Sequence, residues 1–336
     1  MTHHPLFSSA DKVPLPKQIA RYVSMQIESD ELAPGQILLS INEFSARYKV
    51  ARDTVEKAYK ELKTAGYIIS VRNKGYFVAG KSGGRKKILL IFNKLSSYKK
   101  EVYYGFLETI GDKAVVDLQV HHYNASLLKE IIANNLGNYH AYVLMPHFDR
   151  RETKKNYLDI IRGLPQDKLL LLDKRVPELK GVKAVFQDFK QDIYEALLSA
   201  DDLLAKYKSI TIVFPPDSNH PVEIINGIKE YCELKKKKFQ KVDDASEVEV
   251  AKGTVYIFIT DEDMAAVMKT MKKKAYRQGQ EIGIISFNET VLKELLDITV
   301  ITTNFEQMGK TAADMVLNNS FMQVRNPFRM IRRQSL

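Results

Sequence analysis

Cysteine and long apolar runs are scarce in this sequence. Its single cysteine, Cys232, cannot form a disulfide within the chain, which favours a reducing compartment. No apolar run approaches the roughly 18 residues that a membrane-spanning helix needs. The N-terminal segment MTHHPLFSSADKVPLPK lacks the apolar core of a secretory signal. We therefore expect a cytoplasmic protein with no membrane partner.

The motifs that usually carry catalysis are also missing. The sequence has no Gly-x-x-x-x-Gly-Lys-[Ser/Thr] phosphate loop and no Gly-x-Gly-x-x-Gly dinucleotide turn after a strand. It has no His-Glu-x-x-His, no Gly-x-Ser-x-Gly and no paired-cysteine motif. We therefore expect no enzyme activity, no cofactor and no bound metal.

The excess of positive charge does not by itself indicate nucleic acid binding. The chain carries 51 Lys and Arg against 41 Asp and Glu, a formal charge of +10, of which +3 falls within residues 1–80. The remainder includes Lys235–Lys238 and Lys272–Lys274. Both runs lie at the ends of predicted helices, where solvent and the helix dipole favour lysine. The local arrangement of residues must therefore decide the function.

The chain is long enough, at 336 residues, for two domains. The segment AGKSGGRKK, residues 79–87, is rich in Gly and Lys and has no apolar periodicity, which is typical of a linker. Three helices and a hairpin are predicted before it, and strands that alternate with helices are predicted after it. We predict a domain over residues 1–80, a linker over 81–86 and a domain over 87–336.

The first domain shows two helical patterns before residue 50. Ile19, Val23 and Ile27 are spaced four apart and form one stripe of a first helix. The Pro-Gly turn in APGQ ends it. Ser40 and Glu43 then have the spacing of a capping box, which predicts that a second helix begins there.

A third helix follows, and its buried face is clear from the spacing. Val55, Ala58, Tyr59 and Leu62 recur at helical intervals, and Gly66 is well placed to close the helix in the left-handed conformation. The polar residues of the helix, including those at its start, are left facing outward.

The segment YIISVRNKGYFVA alternates apolar and polar residues around a basic turn, Arg72-Asn73-Lys74-Gly75. This pattern predicts a two-stranded hairpin. Together with the helices it indicates a winged helix-turn-helix, in which Arg52 and Thr54 project from the third helix into the major groove and the wing follows the phosphates. The pattern alone leaves open a small helical domain whose hairpin binds another protein.

This segment resembles the gluconate-repressor (GntR) family of bacterial transcription regulators from about residue 15 to residue 79. The family's Leu-Pro-Ser-x-x-Glu-Leu appears as LLSINEF and its Val-Ser-Arg-x-Thr-Val as VARDTV. Asn42 stands where an arginine is common. Ala51 replaces a capping serine, a loss of about 0.5 to 2 kcal/mol. The pattern and the resemblance predict double-stranded operator DNA as the partner and these contacts: Ser40, Asn42, Arg52, Asp53, Thr54, Arg72, Lys74 and Gly75.

Beyond residue 87, apolar runs such as KKILLIF, KLLLLD and GTVYIFIT alternate with helical segments of 10 to 15 residues. Such alternation predicts parallel sheets with helices on both faces. Two successive units suggest a bilobed α/β receptor whose ligand binds between the lobes, at the carboxyl ends of the strands.

The segments KAVFQDF, IFITDEDMAAVMK and EIGIISFNETVLKELLDITVITTNFEQMGKTAADMVLN resemble lactose-repressor (LacI) type effector domains and periplasmic sugar-binding proteins. The resemblance implies a periplasmic-binding-protein-like fold over residues 87–336. We expect one lobe over about 87–187 and 289–318 and a second lobe over about 188–288 and 319–336. The fold class expected for the whole chain is therefore α/β, a winged helix-turn-helix followed by a bilobed parallel-sheet domain.

Polar and aromatic residues near the ends of predicted strands are candidates for binding a sugar. The candidates are Tyr98, Asp188, Ser218, His220, Glu223, Asp261, Glu262 and Asn288. Each has a structural alternative. An Asp or Asn after a strand also caps the next helix, Tyr98 also suits an exposed position, and His220 also suits a turn beside Pro221.

We therefore expect a homodimeric repressor of a sugar-utilisation operon that a monosaccharide effector releases from DNA. An aromatic ring and several carboxylates favour a neutral sugar over a phosphorylated one. The sequence leaves open an effector-dependent activator of the same type. It also leaves open a stand-alone sugar-binding receptor, although the predicted DNA-binding domain would then have no role.

Overall fold

A computed structural model describes residue 7 and residues 13–29, 31–72, 74–79, 86–216 and 218–336. All of the predicted linker except its last residue lies outside these ranges, as does position 73 of the predicted turn. The chain divides into two compact units, and the first contains all described residues up to Ile88. No helix in the described ranges is both long and apolar enough to cross a membrane.

The first unit begins with three helices and a hairpin. Its elements are α1 (Leu15–Glu28), α2 (Ile41–Tyr48), α3 (Arg52–Thr64), β1 (Ile68–Val71) and β2 (Gly75–Val78). The predicted stripes are confirmed as its core, since Ile19, Val23, Val55 and Leu62 are all buried. Burial of one face of each helix holds helices this short in place.

The hairpin of β1 and β2 is a wing with a third chain beside it. Its antiparallel register pairs Val71 with Gly75, and Ile37 forms an isolated bridge to Phe77. The Leu38 N–H donates to the Tyr76 carbonyl oxygen at 2.8 Å. The turn between α1 and α2 therefore supports the wing, as in a winged helix-turn-helix.

Two six-stranded sheets follow the hairpin along the chain. The first has the strand order β13-β7-β6-β5-β3-β4. Its strands are β3 (Lys86–Phe92), β4 (Ala114–Val120), β5 (Ala141–Leu144), β6 (Leu169–Asp173), β7 (Lys183–Phe186) and β13 (Gln323–Arg325). Its helices are α4 (Ser97–Ile110), α5 (Ala125–Asn135), α6 (Lys154–Ile161) and α12 (Phe305–Leu317). We call this sheet with its helices the first lobe.

The second sheet has the order β14-β12-β11-β10-β8-β9. Its strands are β8 (Ser209–Val213), β9 (Lys238–Val242), β10 (Thr254–Phe258), β11 (Ile282–Phe287), β12 (Thr299–Thr303) and β14 (Phe328–Ile331). Its helices are α7 (Phe189–Ser199), α8 (Asp201–Leu204), α9 (Glu223–Leu234), α10 (Asp261–Lys273) and α11 (Val291–Leu295). This is the second lobe. The predicted α/β class with two parallel-dominated sheets is confirmed, and β14 alone in this sheet pairs antiparallel, with β12.

The predicted lobe boundaries need correction after residue 288. We expected residues 289–318 in the first lobe and 319–336 in the second, but β12 pairs parallel with β11 in the second sheet and β13 pairs with β7 in the first. Alternation of strands and helices does not say which sheet a strand joins, because that depends on long-range pairing. The chain therefore passes between lobes after β7, after β12 and between β13 and β14.

A cluster of hydrogen bonds around Asn326 joins the three connections between the lobes. The N–H of the buried Asn326 donates to the Phe186 carbonyl oxygen at 2.7 Å, and its Nδ2 donates to Thr303 Oγ1 at 2.8 Å and to the Asn304 carbonyl oxygen at 2.9 Å. The Asn304 N–H donates to the carbonyl oxygen of Pro327 at 2.9 Å. Each crossing segment is thus bonded to another.

Two glycines let helices of the first lobe pack closely. A Cβ atom added to Gly309 of α12 would lie 2.1 Å from the Val102 carbonyl oxygen on α4, and one added to Gly105 of α4 would lie 2.4 Å from the Glu306 carbonyl oxygen. Neither position tolerates a side chain without separation of the helices. This contact keeps α12 in the first lobe although β12 lies in the second.

Candidate ligand cavity and nucleic-acid interface

The start of α3 presents an exposed, charged surface. Arg52 and Asp53 are exposed and Thr54 is half-buried. The Asp53 carboxylate is paired with Lys57 at 2.8 Å, one turn further along. The N-cap, Ala51, gives no side-chain hydrogen bond, as its sequence predicted. The backbone N–H groups of the first turn are therefore available to donate hydrogen bonds to a phosphate.

The predicted capping box at the start of α2 is confirmed. Ser40 Oγ accepts from the Glu43 N–H at 3.2 Å, and Glu43 Oε2 accepts from the Ser40 N–H at 2.7 Å. The hydrogen bond from the Ser40 backbone lowers the pKa of the Glu43 carboxyl. The Ser40 hydroxyl also hydrogen-bonds the Glu43 carboxylate, and Asn42 is exposed beside it.

The wing presents Arg72, Lys74 and Gly75, all exposed. The backbone of Gly75 has φ +100°, and an added Cβ would meet only the side chain of Ile37, at 4.0 Å. Glycine suits this left-handed position because it has no Cβ to strain. As DNA contacts, these residues and those of α2 and α3 remain predictions.

A cavity of about 740 Å³ lies between the two lobes. Residues that follow the carboxyl ends of β3, β5, β8, β10 and β11 line it, as expected for parallel sheets. Six of the predicted effector residues are among the lining: Tyr98, Ser218, His220, Asp261, Glu262 and Asn288. The structure brings them together, and their role in binding an effector remains a prediction.

The other two predicted effector residues do not line the cavity. Asp188 caps α7, where its Oδ1 accepts from the Gln191 N–H at 3.3 Å, and it lies 3.5 Å from Arg175. Glu223 is the exposed first residue of α9. Asp188 therefore has the alternative role considered above: it caps the helix that follows a strand.

Aromatic rings form part of the first lobe's wall. Tyr98 stacks on Phe305 with ring centroids 5.3 Å apart and an angle of 22° between planes. Burial, with the nearby carboxylate of Asp261, raises the pKa of Tyr98 to about 12. Its hydroxyl therefore stays protonated and can donate to a ligand.

A buried lysine organises the second lobe's wall. Lys293 Nζ lies 2.8 Å from Asp261 Oδ1 and donates to the carbonyl oxygens of Phe287 at 2.6 Å and Asn288 at 3.0 Å. These contacts hold the end of β11, where Asn288 has φ +62°. Asparagine tolerates this left-handed conformation better than most residues.

A short loop after β8 presents His220. Its N–H donates to Ser218 Oγ at 3.1 Å, and the same oxygen lies 3.0 Å from His220 Nδ1. Burial, with positive charge at Lys94, lowers the pKa of His220 to about 4. The ring is therefore neutral at pH 7, with one ring nitrogen that can donate and one that can accept a hydrogen bond.

Arg150 of the first lobe holds this loop of the second lobe. Its guanidinium donates to the carbonyl oxygens of Pro216 at 2.7 Å and His220 at 3.1 Å. The same group lies 5.6 Å from the centroid of the Phe214 ring. Arg150 thus connects the two walls of the cavity at its edge.

Sequence reasoning missed a buried charged set on the first lobe's wall. Asp173 Oδ2 is 2.6 Å from Lys99 Nζ and 2.8 Å from His147 Nε2. Gln187 Nε2 donates to Asp173 Oδ1. Burial alone would raise the pKa of the Asp173 carboxyl, but the Lys99 ammonium and the His147 hydrogen bond outweigh it and hold this pKa far below its usual range.

One signal in the sequence points to part of this set. Asp173 is the last residue of KLLLLD, so the rule that selected Asn288 after β11 selects it equally. Lys99 lies inside a helical pattern with nothing to distinguish it from other helix lysines. Its burial follows only from the packing of α4 beside β6.

The N-terminal part of the chain is similar in sequence to known bacterial regulators. Residues 15–78 match the model of the gntR family of bacterial regulatory proteins. The HTH-type transcriptional regulator YhcF of Bacillus subtilis is 32% identical over 99 residues, which are 30% of this chain and 77% of YhcF. YurK of the same organism is 31% identical over 108 residues, 32% of this chain and 40% of YurK. YcxD is 38% identical over 64 residues, 19% of this chain and 14% of YcxD.

Solved structures are similar in fold to the second unit. The trehalose repressor from Escherichia coli aligns with 74% of this chain and 100% of its own, with a TM-score of 0.60 and 15% identity. The Escherichia coli transcriptional repressor ascG aligns with 74% of this chain and 98% of its own, with a TM-score of 0.60 and 17% identity. A LacI family regulator from Enterococcus faecium, solved with bound ribose, aligns with 74% of this chain and 98% of its own, with a TM-score of 0.57 and 16% identity.

A winged helix-turn-helix followed by two lobes of the LacI-type fold defines a class of bacterial transcription regulator. The chain belongs to the gntR family of bacterial regulatory proteins. It spans only 14% of YcxD and 40% of YurK, so its likeness to those two proteins is confined to part of their length.

Proposed function

We propose that the protein represses a sugar-utilisation operon and that a neutral monosaccharide releases it from its operator. The observation that carries the proposal is the presence in one chain of a gntR-type module and a cavity of about 740 Å³ between two lobes, lined by both polar and aromatic residues. A cavity of this size is ample for a monosaccharide. The bound ribose of the Enterococcus faecium regulator is consistent with this ligand class.

The charges on the cavity walls support a neutral ligand. The lining contains three ammonium groups, of Lys94, Lys99 and Lys293, and three carboxylates, of Asp173, Asp261 and Glu262. Two of these pairs are ion pairs, Lys99 with Asp173 and Lys293 with Asp261. No arginine is part of the described lining, and arginine is the residue best suited to bind a phosphate group bidentately.

Two copies of the chain would read the operator as a symmetric pair, since two-fold protein symmetry matches a near-palindromic site. Helix α11 supports a self-association surface on the second lobe. Its side chains of Val291, Leu292 and Leu295 are 71%, 68% and 74% exposed. Adjacent large apolar side chains this exposed favour burial against a partner.

The mechanism follows from linkage. A sugar that binds a closed arrangement of the lobes better than an open one shifts the population of the dimer towards that arrangement. The shift changes the affinity for DNA only by as much as the sugar discriminates between the two states. Release occurs when the favoured arrangement presents the two winged domains at a spacing that does not match the half-sites.

Operator binding can be measured by fluorescence anisotropy on promoter fragments from the neighbourhood of the gene, with a panel of neutral monosaccharides. We expect one of them to weaken the complex by at least about tenfold, a coupling of roughly 1.4 kcal/mol. Sugar that strengthens the complex would indicate an activator instead. If no sugar changes the affinity, the proposed effector class is wrong.

The DNA-binding part is tested by replacing Arg52 with Ala. We expect operator affinity to fall by about tenfold or more, since a bidentate arginine contact to a base contributes roughly 1 to 3 kcal/mol. Lys60→Ala is the matched control, because it removes the same charge two turns further along α3. Equal losses in both variants would assign Arg52 a general electrostatic effect and no base contact.

A further inference from the structure

We propose that Asp173 anchors a hydroxyl-binding subsite on the wall of the first lobe, formed by Asn93, Lys99 and His147, and that this subsite selects an uncharged ligand with two neighbouring hydroxyl groups. The inference deepens the proposed function, because it rests on the cavity being the effector site. None of these four residues was among the predicted effector residues.

Asp173 is almost saturated by protein donors. Its two carboxylate oxygens accept from Lys99, His147 and Gln187, and its side chain is only 5% exposed. It has φ +73° at the end of β6, a left-handed conformation that Asp adopts more readily than most residues. A carboxylate so enclosed has little capacity left for a ligand. Its role is to orient the groups that donate to it.

The charge of Asp173 determines where the hydrogen of His147 lies. An ionised carboxylate only accepts hydrogen bonds, so Nε2 of His147, 2.8 Å from Asp173 Oδ2, carries the hydrogen. Burial lowers the pKa of the ring, which leaves it neutral at pH 7. Nδ1 then has a free lone pair. Among the described residues, none donates a hydrogen bond to it, and His147 lines the cavity.

Lys99 supplies hydrogen-bond donors to the same wall. Its side chain is 9% exposed, and one of its three N–H groups is used by Asp173. No second acceptor for the ammonium is found in the described part of the chain. The remaining N–H groups of a buried ammonium need acceptors, and the cavity that Lys99 lines is where a ligand oxygen can supply one.

Asn93 supplies an acceptor that has no protein partner. The residue follows β3, lines the cavity and is 3% exposed. Its side chain hydrogen-bonds the Tyr123 hydroxyl, whereas its buried Oδ1 has no hydrogen-bond partner among the described residues. A buried amide oxygen without a donor is uncommon in folded proteins and costs about 1 to 3 kcal/mol. Such a cost is maintained at sites where a ligand supplies the missing donor.

Together these groups demand a ligand that both gives and accepts hydrogen bonds. Asn93 Oδ1 and His147 Nδ1 need donors, whereas Lys99 needs acceptors. A hydroxyl group does both, and two neighbouring hydroxyls satisfy an acceptor and a donor at once. A carboxylate or the dianion of a phosphate monoester has no hydrogen to give to Asn93 or His147, so either would leave two buried acceptors unpaired.

The full-length protein with ¹⁵N-labelled histidine and lysine allows a test by NMR. The probes are glycerol, D-ribose and D-glucose as neutral polyols, and acetate and methyl phosphate at pH 8 as anions that have no hydroxyl group. We expect at least one polyol to shift the His147 Nδ1 and Lys99 Nζ resonances and neither anion to do so. A shift caused by an anion, or no shift with any of the three polyols, overturns the proposal.

Variants separate the anchor from a general structural role. Asp173→Asn keeps the shape and tolerates the positive φ, but it removes the charge that orients Lys99 and His147. We expect the affinity for the responsive polyol to fall at least about tenfold. Asp167→Asn, an exposed change in the same lobe, should leave it within about twofold. Equal affinity in the Asp173→Asn variant and the unmodified protein refutes the anchor.

Asn93→Leu provides a second test that does not depend on the stability of the Asp173 variant. The substitution removes the unpartnered oxygen at similar side-chain volume, so we expect the affinity of the folded variant for the polyol to fall at least about fivefold. A folded variant that keeps its affinity contradicts the assignment. None of these measurements involves DNA, so they can succeed even if the proposed release from the operator fails.

Discussion

The two lobes each place a buried lysine at the wall of the cavity, with a carboxylate beside it, and the two pairs are built differently. Lys99 of the first lobe pairs with Asp173, and both side chains are buried, at 9% and 5% exposure. Lys293 of the second lobe is 2% exposed, but its partner Asp261 is 50% exposed. Lys293 also donates to two backbone carbonyl oxygens, whereas Lys99 has one protein acceptor in the described residues.

The difference shows that the burial of the partner decides what a buried lysine does. The contacts of Lys293 are complete without a ligand, so it fixes the end of β11 and the turn at Asn288. Lys99 is neutralised by a fully buried carboxylate and keeps donors for the cavity. We therefore expect the first lobe to depend more strongly on its charges than the second.

The largest effect should come from Asp173→Asn. This change leaves the Lys99 ammonium buried without its counter-ion, and breaking a buried pair in this way costs about 3 to 5 kcal/mol. The free energy of unfolding, measured by urea denaturation at pH 7, should fall by about that amount. A loss below about 1 kcal/mol would mean that water reaches Lys99 and that the two lobes do not differ as described.

Acid should also weaken the first lobe, through His121. This residue is fully buried, and Nε2 lies 3.0 Å from the Met145 carbonyl oxygen. Burial lowers the pKa of the ring to about 4, from 6.5. The unfolded state therefore binds more protons between those values, so stability falls as the pH drops from about 6.5 towards 4, by up to about 1.4 kcal/mol per pH unit.

The contribution of His121 is isolated by comparing the unmodified protein with His121→Gln, which keeps a donor near Met145. We expect the difference in unfolding free energy between pH 7 and pH 5 to be smaller in the variant. Parallel curves for the two proteins would show that the acid sensitivity arises elsewhere, for example at His220, whose pKa burial also lowers to about 4.

The smallest effect should come from Asp261→Asn in the second lobe. Because Asp261 is half exposed, solvent screens its pair with Lys293, and we expect a loss of less than about 1 kcal/mol. Urea denaturation of this variant beside Asp173→Asn gives the comparison directly. Losses of similar size would show that exposure of the carboxylate does not distinguish the two pairs.

The sequence predicted the first unit in more detail than the cavity. The core of α3, the capping box of Ser40 and Glu43 and the positive φ of Gly66 are confirmed because each depends on residues within a few positions of one another. The strands of the lobes were also predicted from apolar runs. The strands β9 and β13 were not, because the lysines of β9 are typical of an exposed segment and β13 contains no apolar run.

The cavity was predicted only in part, for a physical reason. Its lining comes from loops far apart in the chain, and residues such as Tyr98 or Asn288 could be selected from their position after a strand. The placement of β12 in the second sheet and the burial of Lys99 depend on which elements pack together. No local pattern encodes that, because strand pairing and helix packing are decided by contacts between distant segments.

The cluster of hydrogen bonds around Asn326 constrains how the lobes can rotate relative to each other. Because the passages after β7 and β12 and the one between β13 and β14 are hydrogen-bonded to one another, a twist applied to one connection is shared by the other two. We therefore expect the three connections to bend together and not as independent joints. A sugar that draws the walls together would consequently move the far edges of the lobes along an arc, with the largest displacement at the positions most distant from Asn326.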